Sequence, residues 1–167
     1  MRATRAFFEE WYPRLVRYLR ARLGDADHAE DLAQEAFVRL LEHDPANPAA
    51  WLFTVATNLA RDETRLAGGR RRHLALIRAE QRATVADAGT AIVRAEEVGR
   101  VRRVLAGLAE RDRTLLLLNH EGLRYRDIAA QLGVAPSSVG SLLTRAQRRF
   151  AKCYELEEND NARQAPG

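Results

Sequence analysis

Apolar residues recur at intervals of three and four along almost all of this 167-residue chain, and this helical spacing limits its fold more than any other feature. The first stretch has the apolar face Phe8, Trp11, Tyr12, Leu15, Val16, Leu19 and Leu23. No stretch alternates apolar and polar residues as a half-buried strand would. We therefore predict an all-α fold, in which Pro13 kinks the first helix or splits it in two.

Capping residues, prolines and glycines divide this pattern into separate helices. Asp27 has Glu30 three residues on, which is typical of a capping box at a helix start. The next stripe is Ala29, Leu32, Ala33, Ala36, Phe37, Leu40 and Leu41. Asn47 and Pro48 predict the cap and first position of a third helix, which Gly68-Gly69 would end. Further helices are predicted at about 95–108, 113–120, 126–132 and 136–154.

Residues 70–93 differ from the flanking sequence, because they begin with three arginines and continue with small and polar residues. We interpret them as a flexible linker, which would span roughly 25–30 Å on average. Two small helical domains, 1–69 and 94–155, would lie on either side. Residues 156–167 are acidic and polar, and we expect them to form a disordered tail.

Composition favours a cytoplasmic protein without membrane insertion. There is no basic, apolar leader at the N-terminus and no apolar run near the length of a membrane helix. A single cysteine, Cys153, allows no disulfide framework within the chain. The four histidines lack metal-ligand spacing, and no glycine-rich phosphate loop is present. We therefore expect a protein that is not an enzyme and needs neither metal nor cofactor.

The stretch from Tyr125 to Phe150 has the layout of a helix-turn-helix, with Gly133 at the turn. The chain has a net charge of +4, and no acid occurs between 135 and 152, which suits DNA. Hairpins of two helices are common, however, and the motif does not say what the protein does on DNA. The residues expected to contact DNA are Ser137, Ser138, Ser141, Thr144, Arg145 and Arg148.

Two further helices carry polar faces with two possible interpretations each. The third helix has an aromatic residue, an amide and guanidiniums at helical spacing, which suits unstacked bases as well as an ordinary solvated face. The second helix region, Asp25 to Asp44, holds seven acids and one base. Its outward stripe is Asp31, Gln34, Glu35, Val38 and Glu42. This stripe would meet a basic protein surface, or it is solvated with acids favouring the helix start.

The combination of AEDLAQEAFVRLL (29–41), AAWLFTVATNLARDETR (49–65), a linker and a helix-turn-helix resembles extracytoplasmic-function sigma factors of bacterial RNA polymerase, over about residues 5–152. The resemblance implies sigma regions two and four, core polymerase binding, promoter-specific initiation and melting of the minus-ten element. It implies docking on the β′ clamp helices by Asp31, Leu32, Gln34, Glu35 and Val38. It implies minus-ten contacts by Trp51, Asn58, Arg61, Asp62, Arg65, Arg70 and Arg71.

The resemblance further implies that the final helix enters the major groove at the minus-thirty-five element, that the same module meets the β flap, and that an anti-sigma factor regulates the protein. Gly140, Leu142 and Gln147 stand where the family often has basic residues, and Arg124 stands where it often has a capping Ser or Thr. We expect weaker minus-thirty-five contact or a different docking geometry. The alternative is a stand-alone helix-turn-helix repressor or activator, which would need to dimerise.

Overall fold

A computed structural model describes the backbone of residues 5–66 and 90–164. All regular secondary structure assigned in these ranges is helical. The helices are α1 (Arg5–Leu23), α2 (Ala26–Glu42), α3 (Pro48–Leu66), α4 (Thr90–Gly107), α5 (Glu110–His120), α6 (Tyr125–Leu132) and α7 (Val139–Gln164), with a 3-10 turn at Pro136–Ser138. The predicted all-α fold is confirmed.

The chain divides into two compact units, Met1–Arg82 and Ala83–Gly167. The described helices of the first unit are α1 to α3, and those of the second are α4 to α7. Most of the predicted linker, including Arg70, Arg71 and Arg72, lies outside the described residues. The limits 69 and 94 therefore stay predictions.

The first unit is a bundle of three helices around an aliphatic and aromatic core. Leu15, Leu19, Leu52 and Phe53 are completely buried. The ring of Tyr18 meets that of Phe53 edge-on, with centroids 5.2 Å apart. The hydroxyl of Thr57 donates to the Phe53 carbonyl at 2.6 Å and lies 2.6 Å from the Tyr18 hydroxyl, so the buried polar groups are paired.

Pro13 does not split α1, which contradicts one of the two outcomes that its position predicted. A proline inside a helix removes one backbone hydrogen bond and crowds the carbonyl four residues before it. Here Pro13 is exposed, while Leu15 and Val16 directly after it are buried. Packing of the apolar face therefore holds both halves in one helix.

Helix α2 begins two residues earlier than predicted. Asp25, and not Asp27, is the N-cap, and its carboxylate accepts from the His28 N–H at 3.0 Å. Gly24 has a left-handed φ of 76°, so the chain reverses just before Asp25. Asp27 falls within the first helical turn. The predicted cap at Asn47 is confirmed, because its side-chain oxygen accepts from the Ala50 N–H at 3.3 Å.

In the second unit the predicted helix-turn-helix is confirmed as α6, the 3-10 turn and α7. Gly133 has φ 65°, and its N–H donates to the Ala129 carbonyl, which ends α6 in the left-handed conformation typical of glycine. The buried residues of the unit include Leu105, Leu115, Leu118, Ile128, Ala129, Val139, Leu143 and Ala146. These residues fix α7 along one face and leave the opposite face exposed.

The prediction of a disordered tail from residue 156 is wrong as far as residue 164, because α7 continues to Gln164. The Arg103 Nε donates to Glu157 Oε1 at 2.9 Å. The guanidinium of Arg100 lies over the Tyr154 ring, 5.1 Å from its centroid, and 3.7 Å from Glu158. These contacts with α4 give the acidic segment partners that its composition did not reveal. Residues 165–167 lie outside the described part of the chain.

Candidate protein-docking and nucleic-acid interfaces

The exposed stripe of α2 is called the acidic face here, and it consists of Asp31, Gln34, Glu35, Val38 and Glu42. All five residues are exposed, as their helical spacing predicted. Glu35 pairs with Arg39 on the same helix at 2.5 Å, while Val38 places an apolar side chain, 56% exposed, among the polar ones. Isolated apolar exposure is common, but acids flanking an apolar residue suit a partner with the opposite charges.

Leu32, which was predicted together with this face, is not exposed on it. It is 4% exposed and packs in the same buried stripe as Ala29, Ala33 and Ala36. Successive helical residues point about 100° apart, so Asp31 can face solvent while Leu32 faces the core. Leu32 therefore lies beneath the acidic face, in the core of the first unit.

An exposed apolar patch next to the acidic face was missed by sequence reasoning. Leu41 is 71% exposed although its spacing placed it in the buried stripe, and Phe8 on α1 is 44% exposed. The Phe8 ring contacts those of Tyr12 and Phe37, at centroid distances of 4.7 and 4.9 Å. Periodicity gives the direction of a side chain but not how far the neighbouring helices reach. Only the packing of α1 on α2 therefore reveals this patch.

The structure places five of the seven predicted minus-ten residues on one side of α3. Asn58, Asp62 and Arg65 are exposed, and Trp51 and Arg61 are half-buried. Their spacing of three, four and seven residues keeps them within about 100° of arc. Arg70 and Arg71 lie outside the described residues.

His43 lies at the N-terminal end of this polar face. Its ring centroid is 5.2 Å from that of Trp51, and its Nδ1 is 2.8 Å from the Arg39 carbonyl at the end of α2. His43 and Trp51 thus place two flat rings where the loop from α2 enters α3. Flat rings beside an amide and guanidiniums can stack on unpaired bases and grip the strand that carries them.

The predicted residues for duplex DNA lie in the 3-10 turn (Ser137 and Ser138) and along one side of the first turns of α7. Ser137, Ser141, Thr144, Arg145 and Arg148 are exposed, and Ser138 is half-buried. The hydroxyls of Ser141 and Thr144 donate to carbonyls of the preceding turn, at 3.0 and 3.1 Å, and can still accept hydrogen bonds. No acid lies between residues 135 and 152, so the only charges on this stripe are the positive ones of Arg145 and Arg148.

The unusual positions of the helix-turn-helix have a structural explanation only in part. A Cβ at Gly140 would lie 3.8 Å from the Tyr125 ring, an ordinary contact, so packing does not require a glycine there. Leu142 is half-buried and Gln147 is exposed. Arg124 is the N-cap of α6 and makes no side-chain cap, but its Nε pairs with Asp127 at 3.2 Å.

The described residues contain neither a candidate metal site nor a candidate membrane-spanning helix. In these parts of the chain, no group of three or more His, Cys, Asp or Glu side chains is arranged to hold a metal ion. Within the same ranges, no helix combines the length and the apolar character needed to cross a membrane.

Two protein-family models match the chain in order. The model of Sigma-70 region 2 matches residues 7–70, and the model of Sigma-70, region 4 matches residues 99–150. The first match contains the acidic face and the polar face of α3, and the second contains the helix-turn-helix. The two surfaces of opposite charge therefore fall in two separate family regions.

Individual proteins similar to this chain are sigma factors as well. The ECF RNA polymerase sigma factor EcfG of Rhodopseudomonas palustris is 32% identical over 136 residues, covering 77% of this chain and 72% of EcfG. SigL of Mycobacterium tuberculosis, also an ECF RNA polymerase sigma factor, is 46% identical over 69 residues. That match spans 38% of this chain and 39% of SigL.

A solved structure has a similar fold. It is the sigma factor RpoE of Bartonella quintana, crystallised in complex with the anti-sigma factor NepR. The TM-score is 0.63 at 22% sequence identity, and the similarity covers 89% of this chain and 94% of the other. At this identity the likeness establishes the fold alone.

Proposed function

Since this chain belongs to the extracytoplasmic-function sigma factors, we propose that it binds core RNA polymerase and directs transcription initiation at specific promoters. The observation that carries the proposal is the separation of charge between the acidic face of α2 and the acid-free stripe of α7. One surface is repelled by DNA and the other attracts it. A chain that must hold an enzyme and a promoter at once needs both.

The acidic face is the proposed docking surface for the polymerase, on its β′ clamp helices. Asp31, Gln34 and Glu35 would pair with basic and polar groups, and Val38 would be buried at the centre. Buried apolar groups supply affinity, while surrounding charges steer the encounter and fix the register. Leu41 and Phe8, both exposed beside this face, extend its apolar part.

The polar face of α3 is the proposed site for the melted minus-ten element. Trp51 and His43 present rings that can stack on a base removed from the duplex. Arg61 and Arg65 would hold the phosphates of the same strand, and Asn58 offers an amide for base edges. The loop between α2 and α3, fixed by the Asn47 cap, borders this site.

The stripe of α7 is the proposed reader of the minus-thirty-five element. The small polar residues at its start would face base edges, and Arg145 and Arg148 would contact phosphate. Gly140 and Gln147 add no positive charge to this stripe, so we expect the free chain to bind promoter duplex weakly. Docking of the chain on the polymerase, through the acidic face and a contact to the β flap, would supply the rest of the affinity.

The remaining parts of the proposal concern how the protein is regulated and which class of protein it belongs to. We propose that an anti-sigma factor covers the same surfaces; the RpoE neighbour was crystallised with such a factor. The family consists of transcription regulators, and we propose a cytoplasmic protein without catalytic activity or cofactor. A stand-alone repressor or activator is not favoured, because it would leave the acidic face without a role.

In vitro transcription tests the proposal directly. Core polymerase with a library of promoter fragments from the native genome should give specific transcripts only when the chain is added. The variant Asp31→Arg/Glu35→Arg should abolish them, while Glu96→Arg/Glu97→Arg, an equal change of charge at exposed residues of α4, should not. The absence of both specific transcripts and core binding with the unchanged protein would refute the proposal.

A further inference from the structure

Among Arg145, Arg148, Arg149 and Lys152 of α7, Arg149 is held differently from the other three. Arg145, Arg148 and Lys152 follow one stripe at intervals of three and four, whereas Arg149 lies about 100° around the helix from Arg148. The Nη1 of Arg149 donates to Asp112 Oδ2 at 2.6 Å. Asp112 belongs to α5 and is 37 residues away in sequence. This ion pair therefore links two helices.

The position of Asp112 is fixed by the helix to which it belongs. The residue is 6% exposed and lies in the first turn of α5, next to the buried Thr114 and Leu115. A buried carboxylate is costly unless it is paired, and the helix start favours its negative charge. No side chain caps α5, whose N-cap residue is Ala109. The position of Asp112 is thus set by α5, independently of any ligand.

The pair lies at the end of the apolar contact that holds α7. Val139, Leu143 and Ala146 are the buried residues of this contact, and Arg149 follows Ala146 by three positions. Ala146 has only a methyl group, and apolar contact does not depend on direction. A charged hydrogen bond at 2.6 Å, by contrast, requires defined positions of both groups. The pair can therefore add a directional constraint on the rotation of α7 about its axis to the one that the apolar contact provides.

We propose that Asp112 is a positioning residue for promoter recognition, acting through Arg149 and touching no DNA itself. The Asp112–Arg149 pair sets which residues of the α7 stripe face the base edges. This inference rests on the proposed role of α7 at the minus-thirty-five element. Arg149, whose side chain is 59% exposed, is thereby assigned to the contact with Asp112 and not to the phosphates that Arg145 and Arg148 contact.

The direction in which Asp112→Asn changes the affinity for DNA distinguishes a positioning role of Asp112 from an effect of its charge alone. Asp112→Asn removes a negative charge, which by itself would strengthen binding to DNA. If the pair positions α7, the variant instead weakens binding of the full chain to its selected duplex by about tenfold, with an unchanged dependence on salt. The probe is the duplex that the unchanged chain selects from a randomised pool, and binding is followed by fluorescence anisotropy. A duplex of random sequence is the reference, to which Asp112→Asn should bind at least as well.

Further variants keep the test decisive if Asp112→Asn does not fold, as judged by circular dichroism. Arg149→Gln should also weaken binding to the selected duplex about tenfold, whereas Arg149→Lys, which keeps the charge, should retain most of it. The double variant should be no weaker than either single one. Unchanged or tighter binding of folded Asp112→Asn overturns the inference, as does a salt slope that falls by about 0.9 in Arg149→Gln, the mark of a phosphate contact.

The outcomes also separate this inference from the proposed function. If the unchanged chain selects a duplex that folded Asp112→Asn binds equally well, positioning by Asp112 fails while promoter reading by α7 stands. If the unchanged chain selects no duplex at all, with or without core polymerase, both fail together.

Discussion

The exposed stripes of α2 and α7 are built alike and differ in what surrounds them. Each lies opposite a buried stripe that contains small residues, Ala29, Ala33 and Ala36 in α2 and Ala146 in α7. On α2 the stripe is acidic and borders exposed apolar side chains, while on α7 it is cationic and starts with hydroxyls. The same helical scaffold thus serves a protein partner or a nucleic acid, depending on the sign of the charge and the apolar area beside it.

The two helices also differ in how they are anchored. The core below α2 is aromatic and aliphatic, with Phe37, Phe53 and Tyr18 in contact with other rings. The core below α7 is aliphatic, and ion pairs with α5 and α4 supplement it along the helix. Packing of large apolar groups contributes more to stability than ion pairs at the surface do. We therefore expect the stability of the first unit to depend mainly on its core residues. The stability of the second unit should depend on its charged residues as well.

The largest effect is expected for Phe53→Ala. This ring is fully buried and contacts Trp11 and Tyr18, so its loss should lower the free energy of unfolding of the first unit by about 3–5 kcal/mol. Chemical denaturation checks this value. Leu156→Ala, at a side chain 56% exposed, is the control and should change stability by less than about 0.5 kcal/mol. Equal effects of the two variants would contradict the burial of Phe53 in the core of the first unit.

The next effect concerns the acidic face. Asp31→Arg/Glu35→Arg should weaken core polymerase binding at least about tenfold, because it places two cations against a basic partner. The free energy of unfolding should change little, since both residues are exposed. Fluorescence titration of labelled chain with core enzyme measures the affinity. Unaltered core affinity would make the acidic face an ordinary solvated surface.

A smaller effect is expected on the cationic stripe. Arg148→Ala should weaken binding to every duplex to a similar extent and lower the slope of log affinity against log salt by about 0.9, the share of one phosphate contact. Anisotropy at several salt concentrations provides the slope. Glu97→Gln, exposed on α4, is a control that should leave the slope unchanged. A slope unaffected by Arg148→Ala would remove this residue from the DNA interface.

The smallest effect is expected at Gly140. A methyl group there meets only the Tyr125 ring at an ordinary distance, so Gly140→Ala should stabilise the second unit by up to about 1 kcal/mol. Thermal unfolding followed by circular dichroism measures it. Gly133→Ala is the matched contrast, because Gly133 has a left-handed φ of 65°, and there the same change should destabilise. A loss of stability in Gly140→Ala would show that packing around Tyr125 is tighter than the structure indicates.

Sequence reasoning predicted the helices, the helix-turn-helix and most of the exposed site residues, because these depend on spacing along one helix. Asp31, Glu35, Asn58 and Arg145 are exposed as predicted. It misjudged features that depend on where a neighbouring helix ends or reaches. Leu32 and Leu41 both belonged to the predicted apolar stripe of α2, yet only Leu32 is covered.

What the amino-acid sequence determined by itself is the helical pattern and the sign of the charge on each exposed stripe, since both are local properties of neighbouring turns. Only the tertiary structure decided which apolar residues are covered and which charges are paired. The Arg149–Asp112 and Arg103–Glu157 pairs join residues 37 and 54 positions apart. No periodicity along the chain encodes such contacts, because they arise when separate helices pack and bring distant side chains within hydrogen-bonding distance.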